Sequence, residues 1–225
     1  MPESVIEAVV FDLDGVIVDS EHVWDAAREA LARERGGRWH EGAQQDMMGM
    51  SSVEWSRYMH DVIGLKDPPE EISAEVVRHL EATYREELPL IDGATEAVTR
   101  LAGRWPLAVA SSSNRPIIDL VLELSGLDRF FLATVSSEEV PRGKPAPDVY
   151  LEAARRLGAD PERSAAVEDS RNGILSASAA GMRVVAIPNT RFPPDEEALA
   201  AADVVLYSID DLAPDVVEGD VLPRR

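Results

Sequence analysis

The feature that most restricts the fold is a succession of short, β-branched apolar runs separated by stretches of helical periodicity. After Pro89 the chain reads as a helix over 94–102, a strand over 107–110 and a helix over 116–124 with Pro116 in its first turn. A strand over 132–135, a helix over 148–157, a strand over 165–167, a helix over 173–180 and strands over 184–187 and 204–206 follow. Strands joined by helices of this length predict crossover connections and a parallel sheet covered on both faces. An earlier run, Ile6-Glu7-Ala8-Val9-Val10-Phe11, ends in the tight turn Asp12-Leu13-Asp14-Gly15. It belongs to the same sheet, because alone it would leave its apolar faces uncovered. The expected fold class is α/β, a doubly wound parallel sheet.

Between this first strand and Pro89 only helical patterns occur, over 25–35, 53–63 and 73–87, the last with Val76, Val77, Leu80 and Tyr84 as its apolar stripe. The expected organisation is a core of residues 1–19 and 89–225, with residues 20–88 inserted as an all-helical domain. The tail over 213–225 is expected to be a surface segment.

Charge narrows the partners. The 225 residues carry 42 acidic and 22 basic side chains, a net charge of −20, which disfavours nucleic acid and anionic membrane surfaces. An anionic substrate must therefore be drawn in by a local metal ion or basic residue against the overall field. The absence of cysteine excludes disulfides, thiolate metal sites and thiol catalysis. No basic stretch leads into a long apolar run at the N-terminus, and no segment approaches the ~20 apolar residues of a membrane span. A soluble cytoplasmic protein, monomeric or weakly dimeric, is the expectation.

In an open parallel sheet, ligands bind beyond the C-terminal ends of the strands. The residues there are polar: Asp12 and Asp14, then Ser111-Ser112-Ser113-Asn114, Gly143-Lys144-Pro145, and Glu168-Asp169-Ser170. Carboxylates converging on one crevice repel each other unless they share a cation, and hard oxygen ligands suit magnesium. Magnesium in turn suggests phosphate, with a carboxylate nucleophile whose approach to phosphorus the metal permits and with Lys144 and the Ser111 hydroxyl as donors to the phosphoryl oxygens.

Taken in order, Asp12-Leu13-Asp14-Gly15-Val16, Ser111, Lys144 within Gly-Lys-Pro-Ala-Pro-Asp, and Glu168-Asp169 resemble the motifs of the haloacid dehalogenase superfamily. The resemblance spans Asp12 to Asp169. It implies a Rossmann-like core, Asp12 as nucleophile and Mg²⁺ ligand, and Asp14 as general acid and base that also offers its backbone carbonyl to the metal. Ser111, Ser112 and Lys144 would hold the phosphoryl group, Asp169 would bind the metal, and Glu168 would support it. An Asp at position 14 disfavours dehalogenation, since the superfamily's dehalogenases lack it. Glu168 and Asp169 also suit a helix N-terminus, and capping ahead of Pro116 is the preferred reading for Ser113 and Asn114.

The insert resembles the helical cap of the subgroup that includes β-phosphoglucomutase and sugar-phosphate phosphatases. Ser20, His22, Ser51 and Ser52 are its candidate substrate contacts, and Met47-Met48-Gly49-Met50-Ser51-Ser52 looks like the cap loop facing substrate. The other reading of His22 is an exposed histidine, and Trp39, Trp55 and the methionines are read as packing residues. The chain departs from the mutase pattern at Ser52, where mutases place an arginine, and at Trp24, where they place a histidine. With no evident clamp for a second phosphate, the reading favours a phosphatase of a small phosphorylated metabolite. A β-phosphoglucomutase-like phosphotransferase is the alternative, and a catalytically idle phosphometabolite-binding protein is the third reading.

Overall fold

The computed structural model describes residues 6–47 and 50–219 of the chain. Six strands form one parallel sheet: β1 (Ala8–Phe11), β2 (Leu107–Ser111), β3 (Phe131–Ser136), β4 (Ser164–Glu168), β5 (Arg183–Ala186) and β6 (Val204–Val205), in the order β3-β2-β1-β4-β5-β6. The helices are α1 (Glu21–Glu34), α2 (Ala43–Met47), α3 (Ser52–Tyr58), α4 (Pro69–Glu86), α5 (Ala94–Ala102), α6 (Arg115–Ser125), α7 (Asp148–Leu157), α8 (Arg171–Ala179), α9 (Glu196–Ala200) and α10 (Pro214–Glu218). The fold is the expected doubly wound α/β sheet with an all-helical insertion.

Strand alternation decides which side chains meet which helices. Val9, Phe11, Val109 and Val167 join a hydrophobic cluster with Val98 of α5 and Ile117 and Val121 of α6. Val10, Ala108, Ala110 and Ala166 face the other way and pack with Tyr150 and Ala153 of α7 and Ile174 of α8. Both faces are therefore dry, which explains why the strands read as continuous apolar runs rather than as alternating ones. The first cluster continues without interruption into the helical segment, through Trp24, Leu31, Trp55, Ile72, Val76, Leu80 and Tyr84.

The insertion leaves and re-enters the sheet at one place. Asp19 N–H donates to the Pro89 carbonyl at 2.8 Å, Ile91 N–H donates to the Ile17 carbonyl at 3.0 Å, and Val18 bridges Leu90. Gly15 takes a positive φ of 78° in the turn after β1, and its N–H donates to Val18 O at 2.8 Å.

Three parts of the structure depart from the sequence reading. The helix expected over 53–63 is α-helical only through Tyr58 and widens to a π-helical turn over Met59–Ile63, ended by Gly64 in the left-handed region. The tail read as a surface segment contains α10, whose Val216 and Val217 are buried, and the preceding Leu212 carbonyl accepts from the Arg100 guanidinium at 3.0 and 2.8 Å. Helices α2, α9 and α10 have five residues each, too few to show a 3.6-residue period.

Candidate active site

The order of the strands reverses between β1 and β4, the place where a doubly wound sheet opens a crevice. Asp12 follows β1, while Glu168 ends β4 and Asp169 follows it. Asp12, Glu168 and Asp169 are all buried, and one carboxylate oxygen of each lies within 4.8 Å of the others. Lys144 joins them from the loop before α7. Its ammonium is 2.9 Å from Asp12 Oδ1 and donates to Glu168 Oε1 at 2.5 Å.

Glu168 is fully committed to this network. Oε1 also accepts from the Tyr150 hydroxyl at 2.7 Å, and Oε2 accepts from the backbone N–H groups of Asp169 and Ser170 at 3.0 and 3.2 Å. Asp12 is less committed: the Lys144 ammonium, 2.9 Å away, is the one partner of its Oδ1 among the described residues. Burial pushes the Asp12 carboxyl up to about 8, with Lys144 opposing the rise and Glu168 and Asp14 adding to it. Asp169 is raised well above the ordinary carboxylate value by burial, Glu168 and Asp12. Burial alone would lower the Lys144 ammonium, but Asp12 and Glu168 prevail and raise it. Three buried carboxylates against one lysine form a donor set that fits a hard divalent cation.

Asp14 turns toward the neighbouring strand and the insertion. Its Oδ1 accepts from the Ser20 hydroxyl at 2.5 Å and the Trp24 indole N–H at 3.2 Å; its Oδ2 accepts from the hydroxyls of Ser111 at 3.2 Å and Ser113 at 2.6 Å. These four donors come from the segment entering the helical insertion and from the end of β2. Ser113, read from the sequence as a helix cap, holds Asp14, while Asn114 is the residue at the N-cap of α6 without using its side chain to cap. Asn114 Nδ2 donates to Glu138 Oε1 at 2.8 Å. Capping of α8 falls to Ser170, whose hydroxyl accepts from Gly173 N–H at 3.1 Å, and Glu168 and Asp169 are left to the site.

A cavity of about 100 Å³ is lined by Asp12, Asp14, Ser20, Ser112, Lys144 and Asp169 together with residues of the insertion. Ser111 is fully buried beneath it. The remaining candidates stand elsewhere. His22 is exposed and lies 3.9 Å from Asp19. Ser51 closes a capping box with Glu54, its N–H and hydroxyl donating to Glu54 Oε2 at 2.8 and 2.7 Å. Ser52 donates to Glu138 Oε1 at 2.7 Å and ties α3 to the loop after β3. None of the three borders the cavity. Of the expected cap loop, Met48 and Gly49 lie outside the described residues; Met47 and Met50 line the cavity.

Two further charged residues line the cavity. Glu21 is pushed up to about 7 by burial, with Asp14 and Asp19 adding to the rise. Arg28 is 6% exposed, on the buried stripe of α1 with Trp24, Ala27 and Leu31. A charged residue at that helical phase was the signal available in the sequence.

Residues 6–181 match the profile of the haloacid dehalogenase-like hydrolases. The chain belongs to this family. Among haloacid dehalogenase-like proteins it is 31% identical over 226 residues to hexitol phosphatase B of Escherichia coli K12, covering 92% of this chain and 94% of that one. It is 34% identical over 187 residues to the fructose-1-phosphate phosphatase YqaB of the same organism, covering 79% and 94%. The crystal structure of CbbY from Rhodobacter sphaeroides in complex with phosphate superposes with a TM-score of 0.85 at 26% identity, covering 95% of this chain and 100% of that one. Haloacid dehalogenase phosphatases generally use Mg²⁺, and the buried acidic cluster described above is the place in this chain that fits one. No helix among the described residues is long and apolar enough to cross a membrane.

Proposed function

We propose that this hydrolase releases phosphate from a small phosphorylated metabolite through an aspartyl-phosphate formed on Asp12. The observation that carries the reading is the buried Asp12 carboxylate, clustered with those of Glu168 and Asp169 and 2.9 Å from the Lys144 ammonium, on the lining of a cavity. The phosphatase names of the relatives support hydrolysis over phosphoryl transfer to a second hydroxyl, and the small cavity suits a small ester.

The division of labour follows from position. Asp12 attacks phosphorus as the ester P–O bond breaks, and Asp14 gives the departing oxygen its proton. In the second step a water attacks phosphorus of the acyl phosphate, Asp14 takes the water's proton, and Asp12 is released. The four hydrogen bonds to Asp14 fix its orientation for both transfers. Lys144 and Ser112 hold the phosphoryl oxygens; Ser111, fully buried and donating to Asp14, would have to release that bond to join them. Asp12, Asp169 and the Asp14 backbone carbonyl would hold a Mg²⁺ ion, with Glu168 in support, and its positive charge would let one anion approach another. Residues 20–88 act as a cap on a core of residues 1–19 and 89–225, and the paired connectors at 17–19 and 89–91 are its hinge.

The test is a phosphate-release screen over a panel of phosphate monoesters with and without magnesium. Asp12→Asn should fold as the parent does and lose at least about a thousandfold in turnover. Full activity in that variant would refute the proposal.

A further inference from the structure

Arg28 is a basic residue of the cavity that the reaction above leaves without a task. Its guanidinium carbon lies 5.0 Å from the ring centroid of Trp24 and 4.8 Å from that of Trp55. Among the described residues it makes no hydrogen bond or ion pair, and its Nε is buried without a partner. Asp25, one turn away on the same helix, forms no ion pair with it. Asp25 and Asp14 favour the Arg28 charge from a distance without pairing with it, and a guanidinium withdrawn from water with no ion-pair partner is costly; two aromatic faces offset only part of that cost. Arg28 and Lys144 are the basic residues lining the cavity, against the acidic Asp12, Asp14, Glu21 and Asp169. Lys144 is already engaged by Asp12 and Glu168.

We propose that Arg28 determines specificity by binding an oxyanion, a carboxylate or a second phosphate, carried on the leaving group of the phosphate ester. The proposal rests on the phosphatase reading of the site. A guanidinium pairs with an oxyanion through two parallel N–H···O bonds, and a plane already held against two indole rings loses little freedom in doing so. The charge of the pair matters as much as its geometry. A neutral polyol could accept a hydrogen bond but would leave the buried guanidinium without an ion-pair partner. In a chain of net charge −20, a second anion on the substrate needs such a local cation.

Three classes of ester separate the possibilities: glycerol 3-phosphate with a neutral leaving group, 2-phosphoglycolate and 3-phosphoglycerate with a carboxylate, and fructose 1,6-bisphosphate with a second phosphate. Wild-type kcat/KM should be highest in one of the two charged classes, and which one identifies the oxyanion. Arg28→Met should lower that class by about 10- to 100-fold while changing glycerol 3-phosphate by less than about threefold, with Arg28→Lys between. Preference for the neutral ester, or an equal loss in all classes, overturns the proposal. A binding readout is independent of turnover: tryptophan fluorescence of Asp12→Asn protein titrated with 3-phosphoglycerate, fructose 1,6-bisphosphate and glycerol 3-phosphate. A charged ligand should bind at least about tenfold tighter, with the difference shrinking as salt rises. Equal affinities count against Arg28 even if hydrolysis is confirmed, whereas turnover by the Asp12→Asn protein counts against the phosphatase reading alone.

Discussion

Lys144 is placed where a single side chain decides both stability and chemistry. It stands between two buried carboxylates, Asp12 and Glu168. Lys144→Met should cost about 3–5 kcal/mol in urea unfolding at pH 8, because it strands two buried acids, and it should abolish phosphate release. Glu21 gives a pH signature. Its carboxyl titrates near 7 in the folded protein and near 4.5 when unfolded, so the folded state holds the extra proton between those values. Its contribution to stability therefore falls as pH rises from about 4.5 through about 7 and is level above that. Glu21→Gln should then stabilise the protein by about 1 kcal/mol at pH 8, after discounting for solvent screening, and by nothing at pH 4, as read from paired unfolding curves. Asp12, Asp14 and Lys144 were legible from their motifs. The four donors to Asp14 were not, because Ser20, Trp24, Ser111 and Ser113 meet only after the turn, α1 and the end of β2 are brought together.

At the scale of elements, the start of α8 packs directly onto the site. A Cβ on Gly173 would overlap the Glu168 carboxylate, and one on Gly15 would overlap that of Asp169 on a backbone already in the left-handed region. Gly173→Ala should therefore lower stability by about 1–3 kcal/mol and reduce phosphate release, with thermal unfolding and a steady-state assay as the two readouts. Unchanged values in both would show that Glu168 can move aside. Strands and long helices were readable because each repeats its apolar period several times. The bounds of α5 and α7 coincide with the sequence reading at 94–102 and 148–157. Helix α10 was not readable, since contacts distant in sequence fix it: the burial of Val216 and Val217, the Arg100 bonds to Leu212 and the Arg183 bond to the Val216 carbonyl.

For the molecule as a whole, the dominant quantity is uncompensated negative charge. The net charge is −20, and three of the acids are buried within reach of one cation. Magnesium at about 100 times its dissociation constant should stabilise the fold by roughly 2.7 kcal/mol, a rise of about 5–10 °C in Tm for a chain of this size. Asp169→Asn should lose most of that rise, and a calcium-free thermal-shift titration would reveal it. The same rise in the variant would place the metal elsewhere.

Local order and local chemistry were set by the sequence: the succession of strands and helices follows from short-range periodicity, and the acidic turn, the serine, the lysine and the Glu-Asp pair follow from their place after strands. Tertiary structure alone decided which faces those residues present. It put Arg28 between two tryptophans and Ser113 on Asp14, and it turned His22, Ser51 and Ser52 away from the cavity. The reason is that a side chain's direction depends on how an element is rotated against partners distant in sequence, and no local pattern encodes that rotation.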